Sequence, residues 1–164
     1  MGYVGSYIWK LRQVIGHDLI VAPGAVVVAV DSHGNVLLIK RSDTGDWALP
    51  GGAAEPGSTF ASSAAAELSE ETGLAAELSD LIAFASISDE RWTNFTFPNG
   101  DVVHSFNLCF EARVWSGAPR ADAVESSAVA FFDPASLPSP MLPMSARVLE
   151  LWAAYSSSKT FQAG

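Results

Sequence analysis

Residues 49–74 read LPGGAAEPGSTFASSAAAELSEETGL, and the architecture turns on how this stretch is read. It opens on Leu49, Pro50, Gly51 and Gly52, where two adjacent glycines let backbone approach another group closely. Loops of that kind often carry function. Ser58 or Thr59 has the side chain to cap a helix, and the alanine-rich run that follows ends at Gly73, a natural C-terminal stop. On a helix turning about 100° per residue, Glu67, Glu70 and Glu71 fall within roughly 100° of one another, beside a sector carrying Ala61, Ala65 and Leu68. The carboxylates therefore border the face that the helix buries.

Three like charges this close repel, and the last two also sit near the helix C-terminus, where the macrodipole disfavours anions. A bound cation would offset both effects. Mg²⁺ or Mn²⁺ takes carboxylate oxygens and leaves positions for water and a substrate phosphate, which suits such a cluster to pyrophosphate chemistry. Spacing alone also admits a plainer reading, an acidic but merely solvated helix face.

The stretch resembles the Nudix box: Gly, five residues, Glu, seven residues, Arg-Glu, an aliphatic, any residue, Glu-Glu, any residue, Gly and an aliphatic. Counting from Gly52, the residues Glu67, Leu68, Glu70, Glu71, Gly73 and Leu74 fall in register, and residues 49–52 look like the family's lead-in loop. Most of residues 20–155 suits the resemblance. It implies an α/β chain with the Nudix fold, an α/β/α sandwich with a mixed β-sheet. It also implies metal-dependent cleavage of the diphosphate linkage of a nucleotide or nucleoside diphosphate derivative, by water attack on phosphorus. Carried over residue by residue, it makes Glu67, Glu70 and Glu71 the catalytic ligands of Mg²⁺ or Mn²⁺, helped by the Gly51 carbonyl, with Glu67 also placed to orient the attacking water.

Two positions depart from the box, Ser58 where it has glutamate and Ala66 where it has arginine. In the family these side chains are expected to pair and brace the carboxylates. Losing both removes an ion pair without stranding one charge, so the fold should survive. Loss of such support around metal ligands typically lowers affinity or activity about 10- to 100-fold. The rival to a hydrolase is therefore a catalytically impaired Nudix-fold module that binds a nucleotide without cleaving it.

Outside the helix, Glu125 resembles the further carboxylate that often completes Nudix metal sites, although it reads equally as a solvated loop residue, as does Asp122. Arg41, Arg91 and the backbone at Gly52 are the expected substrate contacts, the two arginines reading equally as surface cations. Trp47, Trp92, Phe95 and Phe97 could stack a base or belong to the core. His17 and His104 read as structural, and neither has a serine or cysteine partner at a spacing that suggests a nucleophilic triad.

Composition bounds the rest. Hydrophobic residues at 49% against 16% charged exclude a disordered chain. The net charge of −9 opposes duplex nucleic acid and favours a small nucleotide substrate met by metal. The single cysteine, Cys109, lies in an apolar run and rules out an intrachain disulfide. Lys10 and Arg12 interrupt any secretory pattern, and residues 19–30 are too few to span a bilayer, so the expectation is a cytoplasmic protein without a membrane segment.

One domain is expected over residues 1–164. Residues 1–18 would hold an amphipathic helix over 3–15, residues 20–155 the core, and residues 156–164 a flexible tail. Within the core, strands are read at 25–30, 36–39, 78–88, 92–97, 102–115 and 128–132, a turn at 98–101, loops at 42–48 and 117–127, and a last helix at 144–155. The N-terminal helix could cover the core or a second copy, which leaves a homodimer open.

Overall fold

The computed structural model describes residues 4–164. In chain order they form α1 (Tyr7–Ile15), β1 (Ile20–Ala29), β2 (Val36–Arg41), β3 (Trp47–Ala48), β4 (Gly51–Ala53), α2 (Phe60–Thr72), β5 (Leu74–Ala75), a 3-10 turn (Leu78–Asp80) and β6 (Leu81–Ile87). They continue through α3 (Glu90–Thr93), β7 (Asn94–Thr96), β8 (Val102–Ala112), β9 (Ser116–Gly117), β10 (Ser126–Phe132), α4 (Pro143–Ser158) and β11 (Gln162–Ala163).

The main sheet runs β11-β6-β8-β1-β4, with β7 also on β8. It is mixed: β1 lies parallel to β8 from Ile20↔Val103 to Ala29↔Ala112, whereas β6 is antiparallel to β8 and β4 is antiparallel to β1. A second sheet, β10-β2-β3, stands beside it. The unbroken apolar run in β1 follows from burial on both faces. Ala25, Val27 and Ala29 pack with Ala64, Leu68 and Phe110 on the α2 side, while Val26 and Val28 pack with Cys109, Val148 and Trp152 on the α4 side. This alternation puts a helix on each face, giving the expected α/β/α sandwich.

Several local expectations are corrected. The first helix begins at Tyr7; position 3 lies outside the described residues. Trp92 belongs to α3 instead of a strand, because the Asp89 side chain accepts the Arg91 N–H at 3.0 Å and nucleates a short turn there. Residues 47–48, read as loop, pair with β2. β8 stops at Ala112, and Trp115 instead stacks on Phe131 and donates its Nε1–H to the Val30 carbonyl.

Residues 156–164, expected as a tail, carry secondary structure. α4 runs on to Ser158, and β11 then pairs parallel with β6, Ser88 donating to the Gly164 carbonyl at 2.8 Å. An otherwise open edge of β6 supplies the hydrogen bonds that local sequence could not reveal. At the other terminus, α1 buries Ile8 against Ile20 and Ala22, and the buried Arg12 side chain donates to the carbonyls of Gly16, Asp18 and Val102 beside Asp101.

Candidate active site

α2 starts where Thr59 accepts the Ser62 N–H, and Ser62 Oγ accepts the Thr59 N–H in return. It ends at Gly73, whose φ of 73° is the left-handed conformation that glycine adopts without strain. Leu68 and Ala64 are buried against β1, which fixes the rotation of the helix and turns Glu67 and Glu71 toward β4. There the Gly51 N–H donates to Glu71 Oε2 at 2.9 Å. Gly52 leaves the space that the Glu67 carboxylate occupies, since a Cβ at that position would collide with it. Paired glycines and paired glutamates thus fit together. Glu70, by contrast, faces solvent.

Burial, reinforced by the charges of Glu70, Glu125 and Glu55, raises the Glu67 pKa to about 7. Glu71 is raised well above the usual carboxylate range by burial and by Glu67, the Gly51 N–H and the Arg41 charge opposing that rise and the Glu125 charge adding to it. Both groups are short of positive charge. Among the described residues no three acidic side chains stand close enough to cage an ion as they are. The donors nevertheless fit a hard divalent cation: all are oxygens, and two are carboxylates under mutual repulsion, Glu71 buried and Glu67 half-buried.

The loop before β10 brings Glu125 to this end of α2. Ser126 Oγ lies 3.0 Å from the Glu71 carbonyl, the Arg120 N–H donates to the Thr72 carbonyl, and the Glu125 carbonyl accepts the Ser42 N–H. Asp122, read from sequence as solvated or metal-binding, instead accepts the N–H groups of Val124, Glu125 and Ser126. Arg41 is close enough to act on Glu71, and its guanidinium also grips Asp43 at 2.6 and 2.9 Å. Arg91 is exposed and paired with Asp89, whose carboxyl it holds near 2.

Trp47 and Phe132 meet edge to face at 4.8 Å beside the main core, and Trp92 packs against the same core. Sequence reading missed Glu55. Its carboxylate accepts the Tyr7 N–H at the start of α1, and its charge reaches Glu67. Nothing in the local pattern around Glu55 signals a partner 48 positions away.

The NUDIX domain family model matches residues 21–152. The chain belongs to the Nudix family. It is 33% identical over 135 residues to an ADP-ribose pyrophosphatase of Methanocaldococcus jannaschii, covering 79% of this chain and 73% of that one. Over 64 residues it is 42% identical to an RNA pyrophosphohydrolase of Novosphingobium aromaticivorans, 37% of this chain and 40% of that protein. The crystal structure of a MutT NUDIX hydrolase from Burkholderia pseudomallei superposes with a TM-score of 0.66 at 25% identity, covering 80% of this chain and 98% of that one.

In this Nudix chain Ser58, which stands where the box has glutamate, is held by hydroxyl bonds. Ser63 Oγ donates to Ser58 Oγ at 2.9 Å, and Ser58 Oγ donates to the Glu55 carbonyl at 2.6 Å. The relay ties the first turn of α2 to the preceding loop without any charge. Ala66 is exposed and leaves Glu67 with no basic neighbour on its own helix.

Proposed function

We propose that this chain is a Mg²⁺- or Mn²⁺-dependent hydrolase of the diphosphate linkage in a nucleotide or nucleoside diphosphate derivative. The observation that carries this reading is the seating of Glu67 and Glu71 against Gly52 and Gly51, two desolvated carboxylates with too little positive charge around them. Glu67, Glu70, Glu71, Glu125 and the Gly51 carbonyl would hold the cation. When bound it would neutralise phosphate charge and polarise the scissile phosphorus.

The chain's own groups supply the rest. Glu67, raised to about 7 without metal, would be ionised beside a bound cation, which suits it to orient the attacking water and accept its proton. Arg41 adds a positive charge beside Glu71 for a substrate phosphate, provided that the phosphate displaces Asp43. Gly52 presents backbone without a side chain to hinder the diphosphate. Names of relatives that include an ADP-ribose pyrophosphatase and an RNA pyrophosphohydrolase support the bond type and leave the substrate open.

Purified protein incubated with Mg²⁺ or Mn²⁺ and a panel of nucleoside triphosphates, sugar nucleotides and ADP-ribose tests the proposal. Hydrolysis products that disappear on chelation, and with Glu70→Gln, are expected. Thermal stabilisation by a nucleotide without any product would instead support the binding module.

A further inference from the structure

Asp122 makes an unusually complete set of local bonds for a residue on an exposed loop. Its Oδ1 accepts the N–H of Val124 at 3.0 Å, of Glu125 at 3.1 Å and of Ser126 at 2.8 Å, and lies 3.0 Å from Ser126 Oγ. Its own N–H donates to that hydroxyl oxygen at 3.2 Å. The turn so closed holds Ala123 at φ 65°, a left-handed conformation that alanine rarely adopts unless its surroundings enforce it. Ser126 is fully buried, and its hydroxyl is also 3.0 Å from the carbonyl of Glu71, in the last turn of α2. A short chain of bonds therefore connects Asp122 with the backbone of one catalytic glutamate and the amide of another acidic residue, Glu125.

Resting on the hydrolytic reading above, we infer that Asp122 is a positioning residue: through Ser126 it clamps the loop to the end of α2 and so fixes where Glu125 presents its carboxylate to the metal. It touches neither substrate nor cation. Its role is to remove the freedom of Glu125, which is exposed and has no side-chain partner among the described residues. Groups that orient metal ligands typically influence metal affinity by about 10- to 100-fold. The backbone donors converge on Asp122 Oδ1, while Oδ2 only shares the Glu125 N–H at 3.2 Å.

The experiment measures Mn²⁺ affinity by water-proton relaxation, without nucleotide, together with kcat and KM, for wild type, Asp122→Ala, Asp122→Asn, Glu125→Gln and the Asp122→Ala/Glu125→Gln double variant. Glu125→Gln and Asp122→Ala are each expected to weaken Mn²⁺ binding about tenfold. Asp122→Asn, which keeps the accepting oxygen, stays near wild type, KM for nucleotide changes little, and the double variant is no worse than either single one. Additive losses, an unaffected Glu125→Gln, or wild-type Mn²⁺ affinity in Asp122→Ala would each overturn the inference. Should Asp122→Ala unfold, Asp122→Ser, with a shorter acceptor, is expected to give an intermediate loss, and wild-type affinity there refutes the clamp. Wild-type protein that takes up no Mn²⁺ defeats the hydrolytic reading as well, whereas normal uptake with an indifferent Asp122 defeats the clamp alone.

Discussion

The Gly51 N–H donates to the Glu71 carboxylate at 2.9 Å, so the strand that borders the site is hydrogen-bonded to the helix that supplies its charge. The two glycines of the loop serve different ends. At Gly51 a Cβ would run into the Ala25 carbonyl and stand 3.0 Å from the Val26 Cα, both backbone that cannot yield. At Gly52 it would meet only the tip of the Glu67 side chain, which can swing away.

Substitution should separate them. Gly52→Ala is expected to leave the melting temperature within a few degrees of wild type while lowering kcat about 100-fold, because a misplaced reacting group loses that much rate. Gly51→Ala should unfold at clearly lower temperature. Circular dichroism melts and turnover of the same samples check both, and equal stability losses would show that Gly52 is structural too.

Restoring the box tests the hydroxyl relay. Ser58→Glu together with Ala66→Arg should raise kcat on the order of tenfold over the parent, if bracing the carboxylates limits the reaction. Each single change introduces one unpartnered charge and should gain less, so the double effect exceeds the sum of the parts. A double variant no faster than wild type would mean that the Ser58–Ser63 bond already does what the ion pair does elsewhere.

Features set by neighbouring residues were readable from the chain. The helix cap at Thr59, the stop at Gly73, the buried run of β1 and the register of Glu67, Glu70 and Glu71 each depend on a few adjacent positions. Contacts between distant segments were not. β11 exists because β6 offers an edge, Glu55 is engaged because α1 begins beside it, and Asp122 Oδ1 is engaged because its loop closes on itself. Trp92 was misread because aromatic content suggested a strand while a capping aspartate three residues earlier favoured a turn.

α1 is held by a buried group whose loss should be costly. Arg12 lies 3.5 Å from Asp101, both nearly inaccessible, and His17 Nδ1 is 2.7 Å from the same carboxylate. Burial works against the Asp101 charge, yet hydrogen bonds from Asn99 and His17 and the Arg12 charge hold its carboxyl below the usual range. Arg12→Ala leaves Asp101 buried without its main cation and strips three carbonyls of a donor, so a loss of about 3 kcal/mol is expected. Urea titration of wild type and variant measures it, and a change below about 1 kcal/mol would mean that α1 is only loosely docked.

The raised carboxylates at the site make a stability prediction with a definite sign. Glu67 titrates near 7 in the folded chain against an ordinary value of 4.5, and Glu71 is displaced the same way. Between those values the native state holds protons that the unfolded chain has released. Stability contributed by the protonated groups is complete below the unfolded value and is lost as pH rises through the folded one. Metal-free protein should therefore lose stability on the order of 1 to 3 kcal/mol from about pH 5 to about pH 7.5 and melt at progressively lower temperature. Glu67→Gln, which cannot ionise, should flatten much of that slope. Mg²⁺ favours the ionised carboxylates, so its stabilising effect should grow toward the alkaline end, where Glu67 has already lost its proton. Differential scanning fluorimetry across this range, with chelator and with Mg²⁺, reads both effects. A melting temperature that rises with pH in chelator, or a Mg²⁺ effect that does not grow with pH, would be incompatible with two glutamates held short of positive charge.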